Sequence, residues 1–154
     1  MNIPIEEFKS IEKVLKGLLK DFYNIIIKTN DVNYIEENLN YLIMNLNGFF
    51  YYNLFDLFQN HEEREYLFTS LIGYCYQNGI GCKVDKNKAL ETYLLVVNNK
   101  NNKIEEEGGS FKKNLEQLNI NEYEFDVLKN INIIIGRYLL SLFYYKDIIL
   151  DKRK

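Results

Sequence analysis

The sequence predicts an all-α protein, and three observations support this. Apolar residues recur at steps of three and four along most of the 154 residues, the spacing that places side chains on one helix face. The single proline is Pro4, near the N-terminus, where a helix tolerates proline best. No stretch shows a strand pattern. With 47% hydrophobic and 27% charged residues, we expect one globular domain with one core.

Composition also narrows the classes of partner and cofactor. A net charge of −3 argues against nucleic-acid binding, which depends on clustered Lys and Arg. Neither a signal peptide nor an apolar run of membrane-spanning length is visible, so we expect a cytoplasmic protein with no membrane partner. Cys75 and Cys82 are too few for a disulfide framework and are expected to be reduced. His61 is the only histidine, and we expect no metal and no cofactor.

Two helices are predicted in the first third of the chain. The first runs from Glu6 to about Lys28, and its apolar positions are Phe8, Ile11, Val14, Leu15, Leu18, Leu19, Phe22, Ile25 and Ile26. Asn30 or Asp31 can cap the second helix, which Gly48 is expected to end. The apolar stripe of this second helix is Val32, Ile35, Leu39, Leu42 and Ile43.

The segment from Phe49 to Phe58 is apolar on almost every side and is compatible with a strand or a buried helix. Helices on both sides favour a short buried helix. An exposed recognition or dimer patch is the alternative, but so many apolar side chains are hard to leave in water. We therefore predict that this segment belongs to the core.

Three further long helices are predicted in the remainder. Their expected bounds are His61 to Asn78, Asp85 to about Asn98, and Glu122 to Lys146. Asn60 or His61 can cap the first of them, Asp85 the second and Asn121 the third. Between the last two, residues 99–110 are predicted to form an exposed loop, followed by a short helix near 111–118.

The segment Gly79-Ile80-Gly81 raises the question of a phosphate-binding loop. Neither Gly-x-x-x-x-Gly-Lys-[Ser/Thr] nor Gly-x-Gly-x-x-Gly is present, and a helical pattern rather than a strand comes before it. The corner of a helical hairpin explains every residue: Gly79 ends one helix in the left-handed conformation, Gly81 keeps the corner tight, and Asp85 caps the returning helix.

Other residues of this hairpin fit close packing of its two helices. Gly73 and Ala89 remove side chains where the helices approach, and Tyr76 and Tyr93 fill the space beside them. Together the pattern resembles a Sel1-like repeat, a relative of the tetratricopeptide repeat, over residues 68–97. The motif residues are Ile72, Gly73, Tyr76, Gly79, Gly81, Asp85, Lys88, Ala89 and Tyr93.

The resemblance departs from the family at Val96-Val97, where two alanines are usual, so a wider or irregular contact to the next repeat is expected. A weaker, partial match to the same motif lies in residues 140–151, where Ser141, Tyr144 and Ile148 take the places of Gly73, Tyr76 and Ile80. Both turn glycines are missing from this partial match.

The resemblance implies an α/α-hairpin solenoid of the Sel1 or tetratricopeptide type with additional N-terminal helices. Because one hairpin cannot bury its own apolar face, neighbouring helices must stack on it. The expected organisation has four parts. They are an N-terminal helical region in 1–60, the repeat hairpin in 61–98, a loop and short helix in 99–120, and a degenerate half-repeat or capping helix in 121–154.

In such repeats, ligands commonly lie on the concave surface formed by the first helix of each hairpin. On the helix ending at Asn78, we expect Thr69, Ile72, Gly73 and Tyr76 to face the core. The residues expected to contact a protein or peptide partner are Leu67, Ser70, Tyr74 and Gln77 on this helix, and Tyr138, Leu142 and Tyr145 on the last helix.

No enzymatic motif is visible. His61 is expected to be a cap or surface residue rather than a base, because no motif places a nucleophile or carboxylate to orient it. We therefore expect a non-enzymatic interaction module, an adaptor or scaffold. Two alternatives stay open: a regulatory repeat appendage of a signalling protein, and a helical domain that self-associates and uses the repeat only as architecture.

Overall fold

The computed structural model of the chain describes residues 3–28, 30–49, 53–98 and 120–146, and every regular element in these ranges is a helix. The helices are α1 (Ile5–Lys28), α2 (Val32–Phe49), α3 (Leu54–Gln59), α4 (Arg64–Leu67), α5 (Thr69–Asn78), α6 (Lys86–Asn98) and α7 (Ile120–Phe143). The all-α prediction is confirmed for these residues. Within the same ranges, no helix combines the length and the apolar character needed to cross a membrane.

The first two helices agree closely with the sequence pattern. α1 ends at Lys28 as predicted. Of the two candidate caps for α2, Asp31 takes the role, since its carboxylate accepts the backbone N–H groups of Asn33 and Tyr34 at 3.1 and 3.3 Å. α2 continues one residue past Gly48, to Phe49.

The aromatic segment forms the short helix α3. Asn53 caps it by accepting the backbone N–H groups of Phe55 and Asp56. Leu54, Leu57 and Phe58 of this helix are buried, so the core interpretation is confirmed for the described part of the segment. Residues 50–52 lie outside the described ranges, as do the loop and short helix predicted in 99–118.

A break at Phe68 divides the single helix that the sequence predicts before Asn78. Phe68 adopts φ −123° and ψ 4°, and it separates α4 from α5. Its fully buried ring stacks on Phe58 at 5.3 Å and meets the His61 ring edge at 4.7 Å. The break therefore accompanies the placement of this large ring in the core.

The break leaves helix-end groups that need hydrogen-bond partners, and Asn132 from α7 supplies them. Its Oδ1 accepts the N–H of Ser70 at 3.0 Å. Its Nδ2 donates to the carbonyl of Tyr66 at 3.0 Å and to the hydroxyl of Thr69 at 2.8 Å. Asn132 is fully buried, so one side chain of α7 caps the end of α4 and the start of α5.

The glycine segment is the corner of a helical hairpin, as predicted. Gly79 has φ 68° and ψ 40°, and its N–H donates to the carbonyl of Cys75. Gly81 also has a positive φ, 70°. The Asp85 N–H donates to the carbonyl of Tyr76 at 2.8 Å, and its carboxylate caps α6 by accepting the N–H of Lys88 at 3.0 Å.

The two helices of the hairpin approach closely at Gly73. A Cβ at this position would lie 2.5 Å from the ring of Tyr93, which is fully buried together with Ala89. Tyr76 is half-buried against Phe55, with ring centroids 5.1 Å apart. The close approach at Gly73 beside Tyr93 is as predicted, whereas Tyr76 packs against α3 rather than between the two hairpin helices.

α7 packs against both helices of the hairpin. Asn132 lies at the start of α5, whereas Leu142 lines a cavity with Gln77 at its end, so α7 runs parallel to α5. Along α6 the order is reversed: Gly136 meets Val96, and Phe143 meets Tyr93 with ring centroids 6.3 Å apart. α7 is therefore antiparallel to α6.

At Val96 the contact with α7 is close, because Gly136 brings no side chain; a Cβ there would lie 2.4 Å from Val96. The predicted cap of the last helix is wrong. α7 begins at Ile120, so Asn121 lies within the helix instead of capping it. Beyond Phe143 the helical conformation continues as a π turn to Lys146.

α5 is the central helix, and this overturns the predicted orientation of its side chains. It contacts α3, α4, α6 and α7, and Phe22 of α1 meets Tyr74 edge to face at 5.5 Å. All six residues from Ser70 to Cys75 are buried, whereas Thr69 and Tyr76 are only partly so. A one-sided stripe cannot describe a helix that neighbours cover on several sides.

Candidate partner-binding groove

A groove of about 250 Å³ lies between α2, α5 and α7. It is lined by Glu36, Leu39, Asn40, Tyr74, Gln77, Asn78, Lys86, Leu139, Leu142 and Lys146. Three of the predicted partner residues, Tyr74, Gln77 and Leu142, are among them. Two helices that the sequence could only treat separately thus contribute predicted contact residues to one concave surface.

Tyr74 forms part of the wall of the groove and is held firmly. Its hydroxyl donates to Oδ1 of Asn40 at 2.6 Å, and its side chain is 5% exposed. Burial, with the nearby carboxylate of Glu36, raises the pKa of the phenol far above its usual range. Tyr74 therefore stays neutral and positions Asn40 rather than projecting toward a partner.

Gln77 and Leu142 are half-buried and complete the groove from α5 and α7. Oε1 of Gln77 accepts the hydroxyl of Tyr93 at 2.8 Å, so the hairpin core fixes the orientation of this amide. Leu142 adds apolar surface beside Leu139. The groove thus combines fixed amide groups with a small apolar floor.

An ion pair between Glu36 and Lys146 joins α2 to the C-terminal turn of α7 at the groove. The carboxylate of Glu36 is also close enough to raise the pKa of the Tyr138 phenol, for which burial is the larger cause. Sequence reasoning missed Glu36, Asn40 and Lys146, since no local spacing connects α2 to the end of α7.

The other predicted partner residues lie outside the groove. Leu67 and Ser70 are buried in the core, so they offer no surface for a partner, and the prediction is wrong for this pair. Tyr138 is half-buried, and its hydroxyl has no hydrogen-bond partner among the described residues. Tyr145 is 53% exposed beside the groove residue Lys146.

His61 differs from its predicted environment. Its side chain is 6% exposed, and Nε2 lies 2.6 Å from a carboxylate oxygen of Glu12. Nδ1 accepts the N–H of Glu63 at 2.9 Å. This contact does not cap α4, whose N-cap is Glu63 without a side-chain hydrogen bond, so the predicted capping role of His61 is wrong. A carboxylate does orient His61, but Glu12 comes from α1, 49 residues earlier, where no local motif places it.

The contacts of His61 define the state of its ring. Nδ1 must be unprotonated to accept the Glu63 N–H, so Nε2 carries the proton donated to Glu12. Because both ring nitrogens are occupied, the imidazole offers no free lone pair for proton abstraction from a substrate.

The two cysteines are free thiols. Burial raises the pKa of Cys75, and the nearby Cys82 adds to this. Cys82 donates its S–H to the carbonyl of Cys75 at 3.4 Å, and burial also raises its pKa. Both side chains therefore favour the thiol, which is a weak nucleophile. In the described ranges, no group of three or more His, Cys, Asp or Glu side chains could hold a metal ion.

Comparisons of the chain with protein-family models, with curated proteins and with solved structures find no match. The Sel1-like character of the hairpin therefore stays a prediction from its motif residues.

Proposed function

We propose that the chain is a non-enzymatic protein-protein interaction module of the Sel1-like class, an adaptor or scaffold, and that the groove between α2, α5 and α7 receives a segment of a partner protein. The convergence of Gln77 and Leu142 on one concave surface, with Tyr74 holding its wall, carries this proposal.

The directions of three helices support the repeat interpretation. α7 runs parallel to α5 and antiparallel to α6, which is the placement that the first helix of a following hairpin takes when hairpins stack. It also covers apolar surface that the α5–α6 hairpin would otherwise expose. In this arrangement the groove lies along α5 and α7, each of which takes the place of the first helix in its hairpin.

The chemistry of the groove suits a peptide better than a metabolite. Its volume of about 250 Å³ is smaller than the pockets that usually enclose small molecules, but it can accept one or two side chains. Leu39, Leu139 and Leu142 offer apolar contact, while Asn40 and Asn78 carry amides of the kind that bond peptide groups. We infer that an apolar side chain anchors the partner and that amide contacts orient its backbone.

The test compares two matched double variants in quantitative affinity capture from the cell that makes this protein. Leu142→Ala with Asn78→Ala alters the groove. Leu95→Ala with Asn87→Ala makes the same changes at exposed positions of α6. Loss of one anchoring contact costs about 1–2 kcal/mol, so we expect roughly fivefold or greater loss of the partner with the groove variant only.

Circular dichroism and a melting curve must first show that both variants keep the fold. Equal retention of every captured protein by the groove variant and the α6 variant would contradict the assignment of the groove.

A further inference from the structure

Two cavities lie side by side on a different part of the molecule, where α1 meets the α3–α4 connection. One has a volume of about 340 Å³ and the other about 290 Å³. Phe8, Glu12 and His61 line both of them. Together they form an elongated site, with the Glu12–His61 pair in the shared wall and Phe8, 47% exposed, beside it.

The two cavities differ in chemistry. The first is mainly apolar, since Ile3, Ile11, Leu15 and Leu57 line it. The second also has an apolar wall, formed by Leu67, Phe125 and Leu128, but it adds the charged side chains of Glu62, Glu63 and Lys16. The carboxylates in this lining are those of Glu12, Glu62 and Glu63, and the one lysine, Lys16, lies 3.6 Å from the Glu12 carboxylate. Acidic side chains therefore outnumber lysine side chains in the lining.

Glu12 adds a negative charge to the shared wall at neutral pH. Burial would raise the pKa of its carboxyl, but the hydrogen bond from His61 and the nearby Lys16 ammonium outweigh this and hold the pKa below its usual range. An exposed aromatic ring such as Phe8 also attracts cations.

We propose that this elongated site binds a small amphipathic cation, with the apolar body in the cavity of Leu15 and Leu57 and the ammonium group facing Glu12 and Glu63. The site is separate from the α2–α5–α7 groove, so it holds whether or not that groove binds a partner protein.

The experiment uses three probes with the same eight-carbon chain: octylamine, octanol and octanoate. Each is titrated below its aggregation limit into the ¹⁵N-labelled full chain, and amide chemical shifts are followed. We expect octylamine to bind saturably, with shifts centred on Glu12, Leu57 and Glu63. A charge-assisted contact should make octylamine about tenfold tighter than octanol, and octanoate weaker still.

Matched variants test the role of charge. Glu62→Gln with Glu63→Gln removes two carboxylates while leaving the Glu12–His61 pair intact, and should lower the preference for octylamine over octanol without abolishing it, because Glu12 keeps its charge. Glu91→Gln, an exposed change on α6, should leave the preference unaltered. Asn60→Trp, at an exposed position in the lining of the apolar cavity, should block all three probes.

The results separate clearly. Equal affinity for the amine and the carboxylate would overturn the proposal of a cation site. Absence of saturable octylamine binding, or shifts centred away from this site, would overturn the site itself.

Discussion

Replacing Asn132 with leucine is expected to destabilise the protein by about 3 kcal/mol, because the change leaves a buried N–H and a half-buried carbonyl without their partner. These groups belong to Ser70 and Tyr66, at the break between α4 and α5. Leucine is similar in size, so lost hydrogen bonds rather than a cavity would dominate the effect. Urea unfolding followed by circular dichroism measures it.

Asn130→Leu is the matched control, because it makes the same chemical change two residues earlier on α7, at a half-buried position. Its effect should stay within about 0.5 kcal/mol. If both variants unfold at the same urea concentration, the capping role of Asn132 is wrong.

Gly73→Ala is expected to destabilise the hairpin by about 2 kcal/mol, although alanine is the better helix former. The new Cβ would lie 2.5 Å from the buried ring of Tyr93, and the Tyr93 hydroxyl is held by Gln77. The helices must therefore separate, and overpacking of this kind costs about 1–3 kcal/mol. The free energy of unfolding reports the cost directly.

Gly17→Ala is expected to change the free energy of unfolding in the opposite direction from Gly73→Ala. Gly17 lies within α1, and a Cβ there would meet no atom within 4 Å, so alanine should stabilise by about 0.5–1 kcal/mol.

A double variant of Gly73→Ala with Tyr93→Leu should cost less than the sum of its single changes, because the smaller side chain gives room to the methyl group. Strict additivity would show that the two residues are not in contact.

The parts of the fold that the sequence predicts well are local. Helix α1, the Asp85 cap and the Gly79 corner each depend on residues within a few positions of one another. Spacing within the hairpin was also sufficient to pair Gly73 with a large neighbour, because the corner between the two helices is short.

The parts that the sequence does not predict depend on contacts between distant segments. Asn132 reads as an ordinary polar residue in a helix, yet it is fully buried and supports the break at Phe68. Glu12 is 49 residues from His61, and Glu36 is 110 residues from Lys146. No periodicity within one helix can reveal such pairs.

The residues of the candidate groove show the same limit of prediction from local sequence. Spacing predicts Tyr74, Gln77 and Leu142 as contact residues. It also predicts Leu67, which lies in α4, and Ser70, because a stripe of this kind assumes only one covered face on the helix that ends at Asn78. The structure covers it on several sides. The number of sides on which α5 is buried depends on how the whole chain folds, so the ten residues of α5 alone do not predict it.

The central claim, that the groove receives another protein, is tested most directly by site-specific photocrosslinking in the cell that makes this protein. Benzoylphenylalanine at Lys86, an exposed residue of the groove lining, should yield an adduct with a partner protein, and Leu142→Ala should reduce its yield about fivefold. The same crosslinker at Glu91, on the exposed face of α6, should not form that adduct. Absence of an adduct at Lys86, or an equal adduct at both positions, would contradict the account.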